Sequence, residues 1–216
     1  KVLRLTSGEQ VTVSTGDGTA YMVTLEEFGK DYVTGRIIEK MDNLQESSME
    51  VVLYQGMPKG DKLELIIQKC TELGVSQVIP VETSRSVVHL DGNKAGKKLE
   101  RWQKIAVSAA EQSGRGRTPE VITLGSYKEA LTRAAQADKA ILFYENERAT
   151  TLRMALETGE YASISLLTGP EGGLEEKEVA QAQEAGLQVC TLGKRILRCE
   201  TAPLCGLSAV MYDAGE

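Results

Sequence analysis

Short apolar and β-branched runs, broken by turn residues, fill the first forty residues of the chain. Residues 2–5, 10–14, 19–25 and 32–39 read as strands, and Asp17-Gly18 is a pair suited to a hairpin that needs positive φ. Four strands in so short a stretch predict a small antiparallel barrel. The polar residues 42–48 read as a linker. From Met49 the rhythm changes. Residues 51–54, 78–81, 140–144, 163–168 and 189–192 are apolar strands, and the apolar positions between them fall at helical spacing. Leu63, Ile66, Ile67, Cys70 and Leu73 share one helix face, opened by the capping-box-like pair Asp61 and Glu64 and closed by Gly74. Trp102, Ile105, Ala106 and Ala109 share another over residues 99–113. Ser126 and Glu129 start a third helix, residues 151–156 form a short one, residues 175–185 run to a stop at Gly186, and Pro203 sits in the first turn of the last. The alternation predicts an α/β domain over residues 49–216, a mostly parallel sheet covered by helices, after a β domain over residues 1–46.

The 216 residues are enough to bury roughly 70% of the unfolded surface, so neither a disulfide nor a metal is needed for folding. The four cysteines are scattered without a CxxC pair, which fits reduced thiols in the cytoplasm. No apolar run approaches the roughly 18 residues of a membrane span, and no secretory signal opens the chain. Because the chain starts at Lys1 without Met, a short N-terminal segment is expected to be missing. The single histidine, His89, excludes Cys2His2 and HExxH zinc sites. A Ser-His-Asp enzyme would rest on His89 alone, and no GxSxG elbow accompanies it. No metal is expected.

Two loops carry candidate chemistry. Leu167-Thr168-Gly169-Pro170-Glu171-Gly172-Gly173 joins a buried strand to a helix. Its glycines let backbone groups approach a ligand, and the following helix aims its positive end back at the loop; a tight strand-to-helix turn has the same composition. The second runs from Leu192-Gly193 through Arg195-Ile196-Leu197-Arg198-Cys199-Glu200. Two apolar residues between arginines suit a segment pressed on something flat, and Arg198 with Glu200 makes either a charge pair in a site or a surface salt bridge. Residues 92–98 resemble a phosphate-binding loop at a glance but lack a spacer and the Ser/Thr after Lys, so a solvated basic turn is expected there. The net charge of −6 argues against indiscriminate polyanion binding. Basic side chains nevertheless cluster at Arg85, at Lys94 to Lys104, and at Arg115 and Arg117, which offer bidentate contacts to phosphate.

Gln55-Gly56-Met57-Pro58-Lys59-Gly60-Asp61-Lys62, Gln68-Lys69-Cys70-Thr71-Glu72-Leu73-Gly74-Val75, Glu111-Gln112-Ser113-Gly114-Arg115, the Gly169–Gly173 loop and Arg195-Ile196-Leu197-Arg198-Cys199-Glu200-Thr201-Ala202 occur in that order. In this the chain resembles, over essentially its whole length, the RsmE family of bacterial 16S ribosomal RNA uridine-N3 methyltransferases of the SPOUT superfamily. One departure is Glu175, where Ser, Thr or Asp would be the expected helix cap.

The resemblance implies a PUA-like β-barrel, then a SPOUT-type α/β domain with a C-terminal trefoil knot, a homodimer, and S-adenosylmethionine as cofactor. It places Leu167, Thr168, Gly169, Glu171, Gly172 and Gly173 on one side of that cofactor and Leu192, Gly193, Ile196, Leu197 and Arg198 on the other. Arg198 is expected to stabilise charge on the uracil oxygens, and Glu171 or Glu200 to accept the N3 proton. Arg4, Arg36, Arg85, Arg115 and Arg117 are the expected RNA contacts. Two other readings share these loops: a SPOUT enzyme acting on transfer RNA, and a non-catalytic RNA-binding ribosome-assembly protein.

Overall fold

The computed structural model describes residues 4–42, 46–87, 92–124 and 126–215. Expectations for Val2, Leu3, residues 43–45 and His89 lie outside the described residues. The chain divides into two compact units. One comprises Lys1–Glu46 together with Ala110–Thr118; the other comprises Ser47–Ala109 and Pro119–Glu216.

In the first unit β1 (Gln10–Ser14), β2 (Thr19–Phe28) and β3 (Val33–Asp42) form an antiparallel sheet in the order β1-β2-β3. The hairpin falls where Asp17-Gly18 predicts it. Gly16 and Gly18 take φ of 82° and 94°, and the Asp17 carboxylate accepts the Thr19 N–H at 2.9 Å. Of the four strands expected here, three form this sheet among the described residues. Arg4 and Leu5 are irregular, because the chain turns at Gly8 (φ 91°), whose N–H donates to the Leu25 carbonyl at 2.8 Å.

Residues 113–117, a phosphate-binding candidate by sequence, are instead built into this unit. The Gly116 carbonyl accepts from Gly18 N–H and from Ser14 Oγ, each at 2.9 Å. The Glu46 carboxylate accepts from Arg115 Nη2 and from Arg117 N–H, each at 2.9 Å, and the Arg115 side chain is only 7% exposed. Burial works to raise the Glu46 pKa, but the Arg115 hydrogen bond and the Arg117 N–H outweigh it and hold the carboxyl below its ordinary range. Their stabilisation is present above the unfolded carboxylate value and is lost as pH falls through the lower, folded one. Arg115→Ala strands the Glu46 carboxylate, and a thermal melt is expected to register a loss of about 3 kcal/mol. Arg117→Ala removes an exposed side chain and should move stability by no more than about 0.5 kcal/mol. Equal losses from the two changes would refute the assigned role of Arg115.

The second unit holds β4 (Glu50–Gly56), α1 (Lys62–Glu72), β5 (Gln77–Val81), β6 (Glu120–Val121), α3 (Tyr127–Ala134), β7 (Lys139–Phe143), α4 (Leu152–Leu156), β8 (Ser163–Thr168), α5 (Glu176–Glu184), β9 (Gln188–Cys190) and α6 (Thr201–Asp213); α2 (Gly92–Ser113) lies between β5 and β6. The strands form one parallel sheet in the order β6-β5-β4-β8-β7-β9. Successive side chains on a strand point to opposite faces. Leu53, Val78, Ile141 and Leu166 therefore join one core with α1, α4 and α6, while Tyr54, Ile79, Leu142 and Leu167 join a second with α3 and α5. Both faces are covered, which is why these strands read as continuous apolar runs.

Three local expectations change. Residues 92–98 are helix rather than a basic turn, since two glycines at about 1 kcal/mol each do not outweigh the packing of the turns that follow. Asp61 makes no side-chain cap; Glu64 instead reaches Arg101 Nη2 at 2.8 Å. Glu175 does not leave α5 without a cap, because the Glu178 carboxylate accepts the Glu175 N–H at 2.9 Å and the Ser84 N–H at 2.8 Å.

Candidate active site

In parallel α/β sheets ligands collect beyond the carboxyl ends of the strands. Here the ends of β7, β8 and β9 open into a cleft of about 430 Å³, within the range of small-molecule sites. Its walls are the two loops singled out from sequence, residues 168–173 and 191–198, with Phe143, Tyr144 and Glu145 at the end of β7 and Lys62 from the start of α1.

The glycine loop is held from below by β4. The Gln55 side chain is fully buried, receives Thr168 Oγ1 at 2.7 Å, and donates through Nε2 to the Gly56 carbonyl at 2.9 Å and the Gly169 carbonyl at 3.2 Å. Gly56 lets the loop lie directly on the strand end: a Cβ there would stand 2.6 Å from Pro170 N and 2.8 Å from the Gly169 carbonyl carbon. The loop then turns, Gly173 N–H donating to the Pro170 carbonyl at 2.9 Å with Gly173 at φ 68°. From the side, Arg85 Nη1 donates to the Gly172 carbonyl at 2.8 Å.

A charge cluster closes one end. Lys62 Nζ lies 2.9 Å from Glu171 Oε1 and 3.5 Å from Glu200 Oε2, while Lys59 N–H donates to Glu171 Oε1 at 3.1 Å. The Cys199 thiol donates to Glu200 Oε2 at 3.2 Å. Burial works to raise the Glu171 carboxyl, but the Lys62 hydrogen bond outweighs it and the group lies below its ordinary value. The Cys199 hydrogen bond does the same for Glu200. Burial pushes the Cys199 thiol up to about 12, so it stays protonated and is no nucleophile at neutral pH.

Of the sequence candidates, Thr168, Gly169, Glu171, Gly173, Leu192, Gly193, Ile196, Leu197 and Arg198 line this cleft. Two do not. Leu167 is 1% exposed and points into the core with α3 and α5, one residue out of phase with the cleft, and Gly172 packs against Arg85. Glu200 adjoins the cluster, yet the expected Arg198–Glu200 pair is absent: Glu200 faces Lys62. The Arg198 carbonyl accepts the Thr201 and Ala202 N–H groups at 2.9 and 3.0 Å, which fixes its backbone at the start of α6. Its exposed guanidinium has no partner among the described residues. Ile196 is 80% exposed at the mouth, an apolar side chain offered to a ligand rather than to the core.

Of the RNA candidates, Arg4 and Arg117 are exposed, Arg36 is exposed but holds Glu26 at 3.0 Å, Arg85 braces the glycine loop, and Arg115 is committed to Glu46. Sequence reasoning missed Lys62, Phe143, Tyr144, Glu145 and Thr191 as cleft residues, and gave no cofactor contact to Pro170, Arg195, Cys199 and Ala202, which its motifs contained. The strand-end rule that found residues 168–173 applies equally to residues 143–145. Among the described residues, no group of His, Cys, Asp or Glu is placed to hold a metal ion, and no helix is long and apolar enough to cross a membrane.

Residues 45–211 match the family described as RNA methyltransferase domain, and residues 1–38 match the RNA methyltransferase PUA domain. The chain is 42% identical over 217 residues to a Bacillus subtilis protein named ribosomal RNA small subunit methyltransferase E, spanning 98% of this chain and 85% of that one. It is also similar to the crystal structure of a ribosomal RNA small subunit methyltransferase E from Neisseria gonorrhoeae bound to S-adenosylmethionine. The TM-score is 0.89 and the identity 38%, covering 98% of this chain and 86% of that one. A Legionella pneumophila structure with the same cofactor bound gives a TM-score of 0.86 at 31% identity, over 98% and 86% of the two chains.

Proposed function

The chain belongs to the ribosomal RNA small subunit methyltransferase E family, and from that premise we propose that it transfers a methyl group from S-adenosylmethionine to N3 of one uridine in 16S ribosomal RNA. The observation that carries the reading is the cleft itself: a glycine loop pinned by Gln55, facing an apolar pair beside an uncommitted arginine. Its residues fit the cofactor. Ile196 and Leu197 offer apolar surface to a flat ring, residues 168–169 and 191–193 offer backbone groups, and the partly buried Glu145 carboxylate suits hydroxyl or cationic groups.

Bound cofactor supplies an activated methyl group on a sulfonium. N3 of neutral uracil has no available lone pair until its proton leaves, so the protein's task is to position the base and ease that loss. The Arg198 guanidinium is our candidate for stabilising negative charge on O2 or O4 as the proton departs. Glu171 and Glu200, kept ionised beside Lys62, can take that proton directly or through water. Carboxylates held by an ammonium are weak bases, so most of the barrier lowering is assigned to Arg198 and to positioning. Arg4, Arg36, Arg85 and Arg117 are the candidate phosphate contacts, and binding through them should weaken with salt. A target base stacked in folded RNA must be turned out to reach the cleft.

We read the protein as a cytoplasmic homodimer whose C-terminal chain is tied in a trefoil knot. Sedimentation at a single chain mass would refute the dimer, and mechanical extension from the two termini to the full contour length would refute the knot.

Incubation with labelled S-adenosylmethionine and unmodified small ribosomal subunits, with transfer RNA in parallel, tests the function. N3-methyluridine in subunit RNA alone is the expected product by mass spectrometry. Label in transfer RNA would move the substrate, and absence of cofactor binding would favour an RNA-binding protein without catalysis.

A further inference from the structure

Lys62 touches both walls of the cleft, and no local spacing announces it. Its ammonium reaches Glu171, in the glycine loop, and Glu200, at the end of the arginine segment, from a third element, α1. The three side chains are each between about a fifth and a third exposed, so the contacts are partly shielded from water. Without Lys62, two carboxylates on facing segments would repel across the gap that the ammonium now bridges. We propose that Lys62 is a positioning residue that holds the glycine loop and the arginine segment at the spacing the cofactor needs, so that the cleft is formed before ligand arrives.

The inference rests on the cofactor reading above and deepens it. A cleft whose walls are untied is competent for only a fraction of the time, and apparent affinity falls by that fraction. The loss is then indifferent to which adenosyl ligand binds. A direct electrostatic role would differ, since the cationic sulfonium of S-adenosylmethionine and the neutral thioether of S-adenosylhomocysteine would respond unequally. A proton-transfer role would appear in turnover at saturating cofactor rather than in affinity.

The test is calorimetric titration of the full-length protein and its Lys62→Met, Lys62→Arg and Glu200→Gln variants with both ligands, alongside turnover and thermal melts. For Lys62→Met the expected result is a loss of about tenfold in affinity, equal for the two ligands, with turnover at saturating cofactor reduced by less than about threefold. Lys62→Arg should recover most of the affinity, because a guanidinium can still span both carboxylates. Glu200→Gln in the Lys62→Met background should recover part of the lost affinity, since it removes the repulsion left by the missing ammonium. A loss confined to S-adenosylmethionine, a loss confined to turnover, or a lowered melting temperature with affinity intact would each overturn the proposal. Tight binding by the unaltered protein with equal binding by Lys62→Met would overturn this inference alone. No binding by the unaltered protein would overturn the cofactor reading and this inference together.

Discussion

Arg198→Ala is expected to lower turnover by about 10²–10³-fold while leaving the dissociation constant for S-adenosylmethionine within about threefold, the scale seen when a single donor to a developing oxyanion is lost. The reason is a division of labour within one residue. Its backbone is fixed, because the carbonyl receives Thr201 and Ala202 N–H at the start of α6, so substitution of the side chain leaves the segment in place. Its guanidinium lines the cleft with no carboxylate partner among the described residues, so its charge is not already neutralised. Arg198→Lys should fall between the two, since an ammonium supplies charge without the planar fork. Single-turnover rates with saturating cofactor, set beside calorimetric affinities, separate the contributions. Equal losses in both would make Arg198 a cofactor-binding residue and would remove it from the chemical step.

Gly56→Ala is the second large effect, although Gly56 never touches the chemistry. The added methyl would lie 2.6 Å from Pro170 N and 2.8 Å from the Gly169 carbonyl carbon, both in backbone that cannot swing aside as a side chain can. Relief to an ordinary carbon contact requires the glycine loop to move by about 1 Å. Displacement of that size costs about 100-fold in kcat/KM when it misaligns a reacting group, and overpacking of this kind costs about 1–3 kcal/mol in stability. Gly96→Ala is the control. It lies in α2 with open space around it, and a helical alanine there should be neutral or stabilising by about 0.5–1 kcal/mol. A Gly56→Ala enzyme with unchanged kcat/KM would mean that the loop can shift without consequence.

Much of the α/β unit was legible because its strands are buried on both faces and its helices on one. Continuous apolar runs marked β4, β5, β7 and β8, and β8 matched residue for residue. β6, with two residues, carries no period to read. The first expected strand does not form at Arg4 and Leu5, where β propensity is overruled by the turn at Gly8. Both site loops were visible through their glycines and paired arginines, since a loop that must approach a ligand advertises it in composition. Lys62 was not, because its partners lie more than a hundred residues away and its neighbours Asp61 and Glu64 mimic a helix cap. Arg115 misled for the opposite reason: an arginine among glycines looks free for phosphate, and only the fold reveals Glu46 beneath it.

The same Glu46 has a consequence for the order in which the newly made chain can fold. Its partner follows 69 residues later, an interval of roughly 3–14 s at ribosomal rates of about 5–20 residues per second. Until residues 110–118 emerge, the β1-β2-β3 sheet has a carboxylate without its counter-ion, and Gly18 and Ser14 lack their acceptor at Gly116. The sheet of β1, β2 and β3 is thus completed only after residues 110–118 have been made. A gene fragment ending at residue 46 encodes the sheet without residues 110–118, the distant stretch of chain that packs with it.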